Sequence, residues 1–170
     1  PPTPDTADVL HAVIESASPY EGPGEVVYGF SWEVGGVPLE EGLGETLSPT
    51  STRRGDEITL VVTPHVLGLP GPSASAVVLI GNSPPAAKGA AITPGQGGTT
   101  TEFECVAEGW GDLDGDLPMD SFRWELNGVV VTEHVDANLP AQAAQRGDEI
   151  RCELTPADGI DVGDPLWSPV

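Results

Sequence analysis

Apolar residues fall in short runs in which every second position is polar, the period of a strand with one buried face. Tyr28-Gly29-Phe30-Ser31-Trp32-Glu33-Val34 alternates in this way and turns at Gly35-Gly36 into Val37-Pro38-Leu39. Phe122-Arg123-Trp124-Glu125-Leu126 alternates too, and turns at Asn127-Gly128, a strong hairpin signal, into Val129-Val130-Val131. In Phe103-Glu104-Cys105-Val106-Ala107 one face takes Phe103, Cys105 and Ala107; in Ile150-Arg151-Cys152-Glu153-Leu154 one face takes Ile150, Cys152 and Leu154. More continuous runs predict strands at Val9-Leu10-His11-Ala12-Val13-Ile14, Ile58-Thr59-Leu60-Val61-Val62 and Ala76-Val77-Val78-Leu79-Ile80. Turn residues bound all of them, so the expected fold class is all-β.

These strands belong to a repeat. Trp32-Glu33-Val34-Gly35-Gly36, Arg54-Gly55-Asp56-Glu57-Ile58 and Thr63-Pro64 return 92 positions later as Trp124-Glu125-Leu126-Asn127-Gly128, Arg146-Gly147-Asp148-Glu149-Ile150 and Thr155-Pro156. The offset holds from the tryptophan to the proline, which predicts two copies of one unit, residues 1–82 and 83–170. Asn82-Ser83-Pro84-Pro85 reads as a semi-rigid connection. Aligning the early strands places Ala12 opposite Cys105, and the later ones Leu60 opposite Cys152. Pro1-Pro2 matches Pro84-Pro85, and Trp167-Ser168-Pro169-Val170 stops before any counterpart of Leu79-Ile80-Gly81-Asn82. From this the chain is expected to be one period of a longer polypeptide, or to have its last strand completed by a neighbour.

Composition narrows the classes of function. In 170 residues there are 22 glycines and 18 prolines, which the ordered apolar runs assign to turns and not to disorder. The net charge is −21 and Lys88 is the sole lysine. Nucleic-acid binding rests on Lys and Arg neutralising phosphates, and anionic membranes draw the same residues, so neither partner is expected. The balance favours cations or a well-hydrated acidic surface. No apolar run approaches the ~20 residues of a membrane-spanning helix, so no membrane insertion is expected.

Cys105 and Cys152 flank Trp124 and point inward from facing sheets. In a small sandwich that order predicts an inter-sheet disulfide, hence an oxidising, extracellular setting. Two reduced buried thiols are the alternative in a cytosolic protein. The bridge would close a loop of about 48 residues, worth roughly 3–4 kcal/mol.

The pattern W-x-x-x-G, then R-G-D-E-I-x-(C/L)-x-(V/L)-T-P, then N-S-P-P resembles the tandem immunoglobulin-like (PKD/cadherin-like) repeats of large bacterial extracellular surface, adhesin or filament proteins. The resemblance covers nearly the whole chain. It implies two tandem immunoglobulin-like β-sandwich domains forming a structural repeat module at the cell surface. That module would be a calcium-stiffened stalk or fibre unit. Its partners would be neighbouring repeats or subunits of the same protein, with a host or surface ligand unspecified.

The sharpest candidate chemistry is Asp112-Leu113-Asp114-Gly115-Asp116 with Asp120 four residues on. Alternating carboxylates around a glycine can converge on a hard cation, and Ca²⁺ takes six to eight oxygens. The run is not an EF-hand, because its glycine is fourth and its twelfth position is Arg123. In a sandwich the loop after Thr155-Pro156 lies at the same end, so Asp158 is the expected distant ligand, with Asp161 or Asp164 behind it. The resembling repeats pair a D-x-D-G-D loop with an x-D-G loop, which implies Ca²⁺ in the second domain. A solvated acidic turn is the plainer reading of the same residues. The first domain has Tyr20-Glu21-Gly22-Pro23-Gly24-Glu25 and His65-Val66-Leu67-Gly68 in these places, and no ion is expected there.

Arg54-Gly55-Asp56 and Arg146-Gly147-Asp148 recur at one position ahead of a strand, so they read as turns and not as recognition tripeptides. His11, His65 and His134 lack metal-ligand spacing. No nucleophile elbow, phosphate loop or dinucleotide fingerprint is present, so no enzyme is expected. Trp110, beside the acidic loop, either packs that loop or stacks on a sugar. The second choice supports the alternative function, a carbohydrate- or protein-binding accessory module of a secreted protein.

Overall fold

The computed structural model describes residues 3–15, 20–40 and 43–170. The chain divides into two compact units, Pro1–Ser83 and Pro84–Val170. Pro1 and Pro2 lie outside the described residues.

In the first unit the strands are β1 (Leu10–His11), β2 (Val26–Val34), β3 (Val37–Pro38), β4 (Thr46–Leu47), β5 (Glu57–Val66), β6 (Leu69–Pro70) and β7 (Ala74–Leu79), with a 3-10 turn at Pro49–Ser51. One sheet has the order β3-β2-β5-β6, with β7 also paired to β5, and β1-β4 forms a second. Alternation along β2 and β5 turns Trp32 and Ile58 inward, where they meet Leu10, Leu47 and Ile80.

The early strand is shorter than its apolar run suggests. Only Leu10 and His11 enter the ladder with β4, and the Ala12 N–H adds one more bond to Glu45 O. Gly44, next along the partner segment, gives its carbonyl to the Trp32 indole N–H at 2.9 Å. Val13 leaves the sheet and is 75% exposed.

The second unit holds β8 (Gly89–Thr93), β9 (Phe103–Glu108), β10 (Ser121–Leu126), β11 (Val129–Val131), β12 (Asn138–Leu139), β13 (Ile150–Thr155) and β14 (Leu166–Trp167). Its sheets run β12-β9-β8 and β11-β10-β13-β14. Cys105 on β9 is bonded to Cys152 on β13, with Cα atoms 6.1 Å apart, so the disulfide ties one sheet to the other. Trp124, Leu139, Leu154 and Phe103 pack around it. Three strands of this unit escape the hydrophobic pattern. β8 is built from Gly89, Ala90 and Ala91 with one large residue, Ile92, and β12 and β14 have two residues each.

The repeat in sequence is a repeat of hydrogen bonds. Trp124 Nε1 donates to Asp136 O at 3.0 Å as Trp32 does to Gly44. Phe103 pairs with Leu139 as Leu10 pairs with Leu47. The Cys105 N–H reaches Ala137 O as Ala12 reaches Glu45. Ala12 and Leu60 occupy the cysteine positions of the first unit, both packed against its core. The two Arg-Gly-Asp segments are turns. Asp56 accepts the Arg53 N–H at 2.8 Å and Asp148 the Gln145 N–H at 2.7 Å. Gly55 and Gly147 sit at φ 86° and 94°, a region that favours glycine.

Candidate metal centre

The acidic residues of the second unit converge where β9 and β13 end. Beyond β9, Gly111 is fastened to Ala86 by a reciprocal pair of backbone bonds, each 2.9 Å. The chain then winds round one carboxylate. Asp112 Oδ1 accepts the Asp114 N–H at 2.8 Å and the Asp116 N–H at 3.1 Å. Gly115, at φ 81°, lets the loop close. With Oδ1 engaged, Asp112 Oδ2 is held buried and has no hydrogen-bond partner.

The second loop is brought to the first by Asp120. Its Oδ1 accepts both the Trp110 indole N–H at 3.0 Å and the Ala157 N–H at 3.1 Å. The Met119 N–H returns a bond to Ala157 O at 2.7 Å. Asp158 follows directly, and its Oδ1 accepts the Ile160 and Asp161 N–H groups at 2.6 and 2.7 Å. The residue is 7% exposed.

Asp112, Asp116 and Asp158 thereby offer one carboxylate oxygen each, all within 4.8 Å of one another. Among the described residues this is the one such group of three or more His, Cys, Asp or Glu side chains. Three like charges so close repel in a partly desolvated setting. A hard cation converts the repulsion into attraction. Carboxylates, backbone carbonyls and water are the donor set that Ca²⁺ takes in flexible loops, so the residues present fit that ion.

Of the five expected ligands, Asp112, Asp116 and Asp158 come together, while Asp114 and Asp120 fall outside the group. Asp120 is a brace, its Oδ1 already shared by two donors. Asp161 contributes its N–H to Asp158 and is exposed. Trp110 is half-buried with its indole N–H engaged, so it packs the loop.

A second arrangement has no counterpart in the sequence reading. Trp167 on β14 has the guanidinium carbons of Arg151 and Arg123 over its ring, at 4.3 and 5.0 Å from the centroid. Glu153 meets Arg123 at 2.6 Å, and Glu125 meets Arg151 at 3.2 Å. The alternate-position arginines at 123 and 151 and the cross-strand glutamates were the available signal. The β13–β14 register that sets the ring between them is not visible in a linear chain.

No protein-family model matches this chain, and no curated protein matches it. Among solved structures it is similar to the crystal structure of domains A168-A170 from titin, with 11% sequence identity and a TM-score of 0.37. The match covers 86% of this chain and 58% of that one, so the chain spans less than two thirds of the titin structure. The strand order of the second unit is decisive: three strands face four, with a Cys-Trp-Cys core between them. Both units are immunoglobulin-like β-sandwiches. Among the described residues, no helix of this tandem pair is long and apolar enough to cross a membrane.

Proposed function

We propose that this tandem pair is a spacer: a structural repeat module of an extracellular surface or filament protein, of the kind large bacterial proteins carry, with Ca²⁺ bound in its second domain. The observation that carries the reading is the meeting of Asp112, Asp116 and Asp158 within 4.8 Å, with Asp112 Oδ2 buried and unpartnered. Asp112, Asp116 and Asp158 hold the ion, and main-chain carbonyls or water complete its shell. Calcium there ties the 109–120 loop to the hairpin after β13 and stiffens that end of the sandwich. The disulfide supports an oxidising environment, and a net charge of −21 supports solubility and cation binding over nucleic acid. The role is mechanical: neighbouring modules of the same protein are its partners, and the unit sets spacing.

The test is thermal unfolding of the whole chain in calcium and in chelator. At a hundredfold excess over Kd, binding contributes about 2.7 kcal/mol to the bound domain. For a domain of this size that is a rise of roughly 10–20 °C in one transition, with the other unmoved. Asp158→Asn is expected to remove the rise. Two transitions indifferent to calcium would sink the reading.

A further inference from the structure

The hairpin after the second tryptophan strand is fastened to the Arg-Gly-Asp turn by a side chain that the first unit lacks. In both units the residue after the strand donates its N–H to the glutamate that follows that turn. Gly35 gives it to Glu57 O and Asn127 to Glu149 O, each at 2.9 Å. The glycine can add nothing more. Asn127 adds two bonds: its Nδ2 donates to Asp148 Oδ1 at 2.8 Å, and its Oδ1 accepts the Glu149 N–H at 3.0 Å. Asn127 sits at φ 52° and Gly128 at φ 78°, the left-handed pair of a two-residue hairpin turn.

An asparagine before a glycine carries a chemistry of its own. Gly128 has no side chain to shield its backbone nitrogen, so that nitrogen can attack Asn127 Cγ once the chain is free to bend. The Gly128 N–Asn127 Cγ bond forms and the Cγ–Nδ2 bond breaks. Nδ2 leaves as ammonia, taking the proton from the Gly128 nitrogen, and a five-membered imide is left. Water opens the imide to aspartate or isoaspartate. The attack requires the Asn127 side chain to swing back over its own backbone, and the bonds to Asp148 and Glu149 hold it away. The product cannot restore the turn. A carboxylate has no N–H to offer Asp148, and a second negative charge stands where Nδ2 stood.

We propose that Asn127-Gly128 is a self-modification site gated by the fold of the second unit: deamidation waits on opening of this turn, and the deamidated turn no longer closes as before. The hairpin at 126–129 and the turn at 145–149 thereby keep a covalent record of opening. The first unit, with Gly35-Gly36 in these places, has no amide to lose.

The test incubates the intact chain at neutral pH, folded and in denaturing urea, and follows Asn127 by peptide mass spectrometry. Conversion is expected to be at least about tenfold faster in urea, because the folded chain reacts only through local opening. Asn127→Asp supplies the product directly. Its second thermal transition should fall by roughly 5 °C, with the first unmoved. Adding Asp148→Asn rebuilds the donor–acceptor pair in reverse and should recover about half of that loss or more. Conversion at one rate in both conditions would overturn the gate. An Asn127→Asp chain as stable as the parent, or one that Asp148→Asn does not rescue, would overturn the claim that the product unseats the turn.

Discussion

Residues 64–71 and 156–163 form the same hairpin with different side chains. Gly71 N donates to Pro64 O at 2.7 Å, and Gly163 N to Pro156 O at 2.8 Å. His65 pairs with Pro70 as Ala157 bridges Val162. Leu67 and Gly68 turn the first hairpin at positive φ, and Gly159 at φ 88° turns the second. One step inside the turn the first hairpin has Val66 opposite Leu69, whereas the second has Asp158 N bonded to Asp161 O. The first ends in exposed apolar residues, Leu67 and Leu69, and the second in the partner carboxylate of a three-acid cluster. A shared backbone therefore does not carry the site. The side chain at one position does, together with a facing loop that winds round Asp112.

The sharpest way to break the comparison is to remove the bond that only one unit has. Reducing the disulfide is expected to destabilise the second unit by roughly 3–4 kcal/mol and to leave the first, with Ala12 and Leu60 in those places, unchanged. Calorimetry of the whole chain with and without reductant checks this; equal shifts in both transitions would contradict it.

Next in size is the carboxylate cluster. Asp112→Asn is expected to abolish the calcium-dependent stabilisation of about 2–3 kcal/mol while leaving the unit folded in chelator. Val66→Asp in the first unit is expected to create no site, because the facing loop there has no counterpart of Asp112. Isothermal titration of the two variants separates these outcomes.

Asp120→Ala comes third. It leaves the Trp110 and Ala157 N–H groups without their shared acceptor, a loss of about 1–3 kcal/mol. Calcium affinity should fall with it, because the brace positions Asp158. Urea unfolding and a calcium titration on one sample measure both.

The smallest effect concerns the paired turns. The Gln145 N–H, first, and the Asn127 amide, second, hold the Asp148 carboxyl below its ordinary value of 3.8. A depressed folded pKa contributes stability that is present above 3.8 and lost as pH falls through the folded value. In the first unit Gly35 stands in place of Asn127. Asn127→Gly should therefore move Asp148 up toward 3.8, read by NMR titration of its carboxyl carbon.

How far the chain could be read in advance depends on where its information lies. Trp32, Trp124, Cys105 and Cys152 sit in alternating strands, so the sandwich and its bridge were legible. The apolar run at 9–14 predicts a longer strand than the Leu10–His11 ladder that forms, because periodicity cannot show that Gly44 turns its carbonyl to an indole. β8 was missed because Ala90 and Ala91 fill a tight sheet edge without a hydrophobic signature. In the acidic loops, the alternating carboxylates around Gly115, the shared end of the sandwich and the resemblance to repeats with paired acidic loops picked out Asp112, Asp116 and Asp158 but could not separate them from Asp114 and Asp120. Asp120 is set apart by accepting the Trp110 indole N–H and the Ala157 backbone N–H, a pairing across the two loops that leaves no mark in a linear sequence.

The most direct measurement is a calorimetric titration of calcium into the intact chain at neutral pH. The account predicts one ion per chain, lost in Asp158→Asn and retained after any change confined to residues 65–69. Binding of two ions, or binding that survives Asp158→Asn, would contradict it.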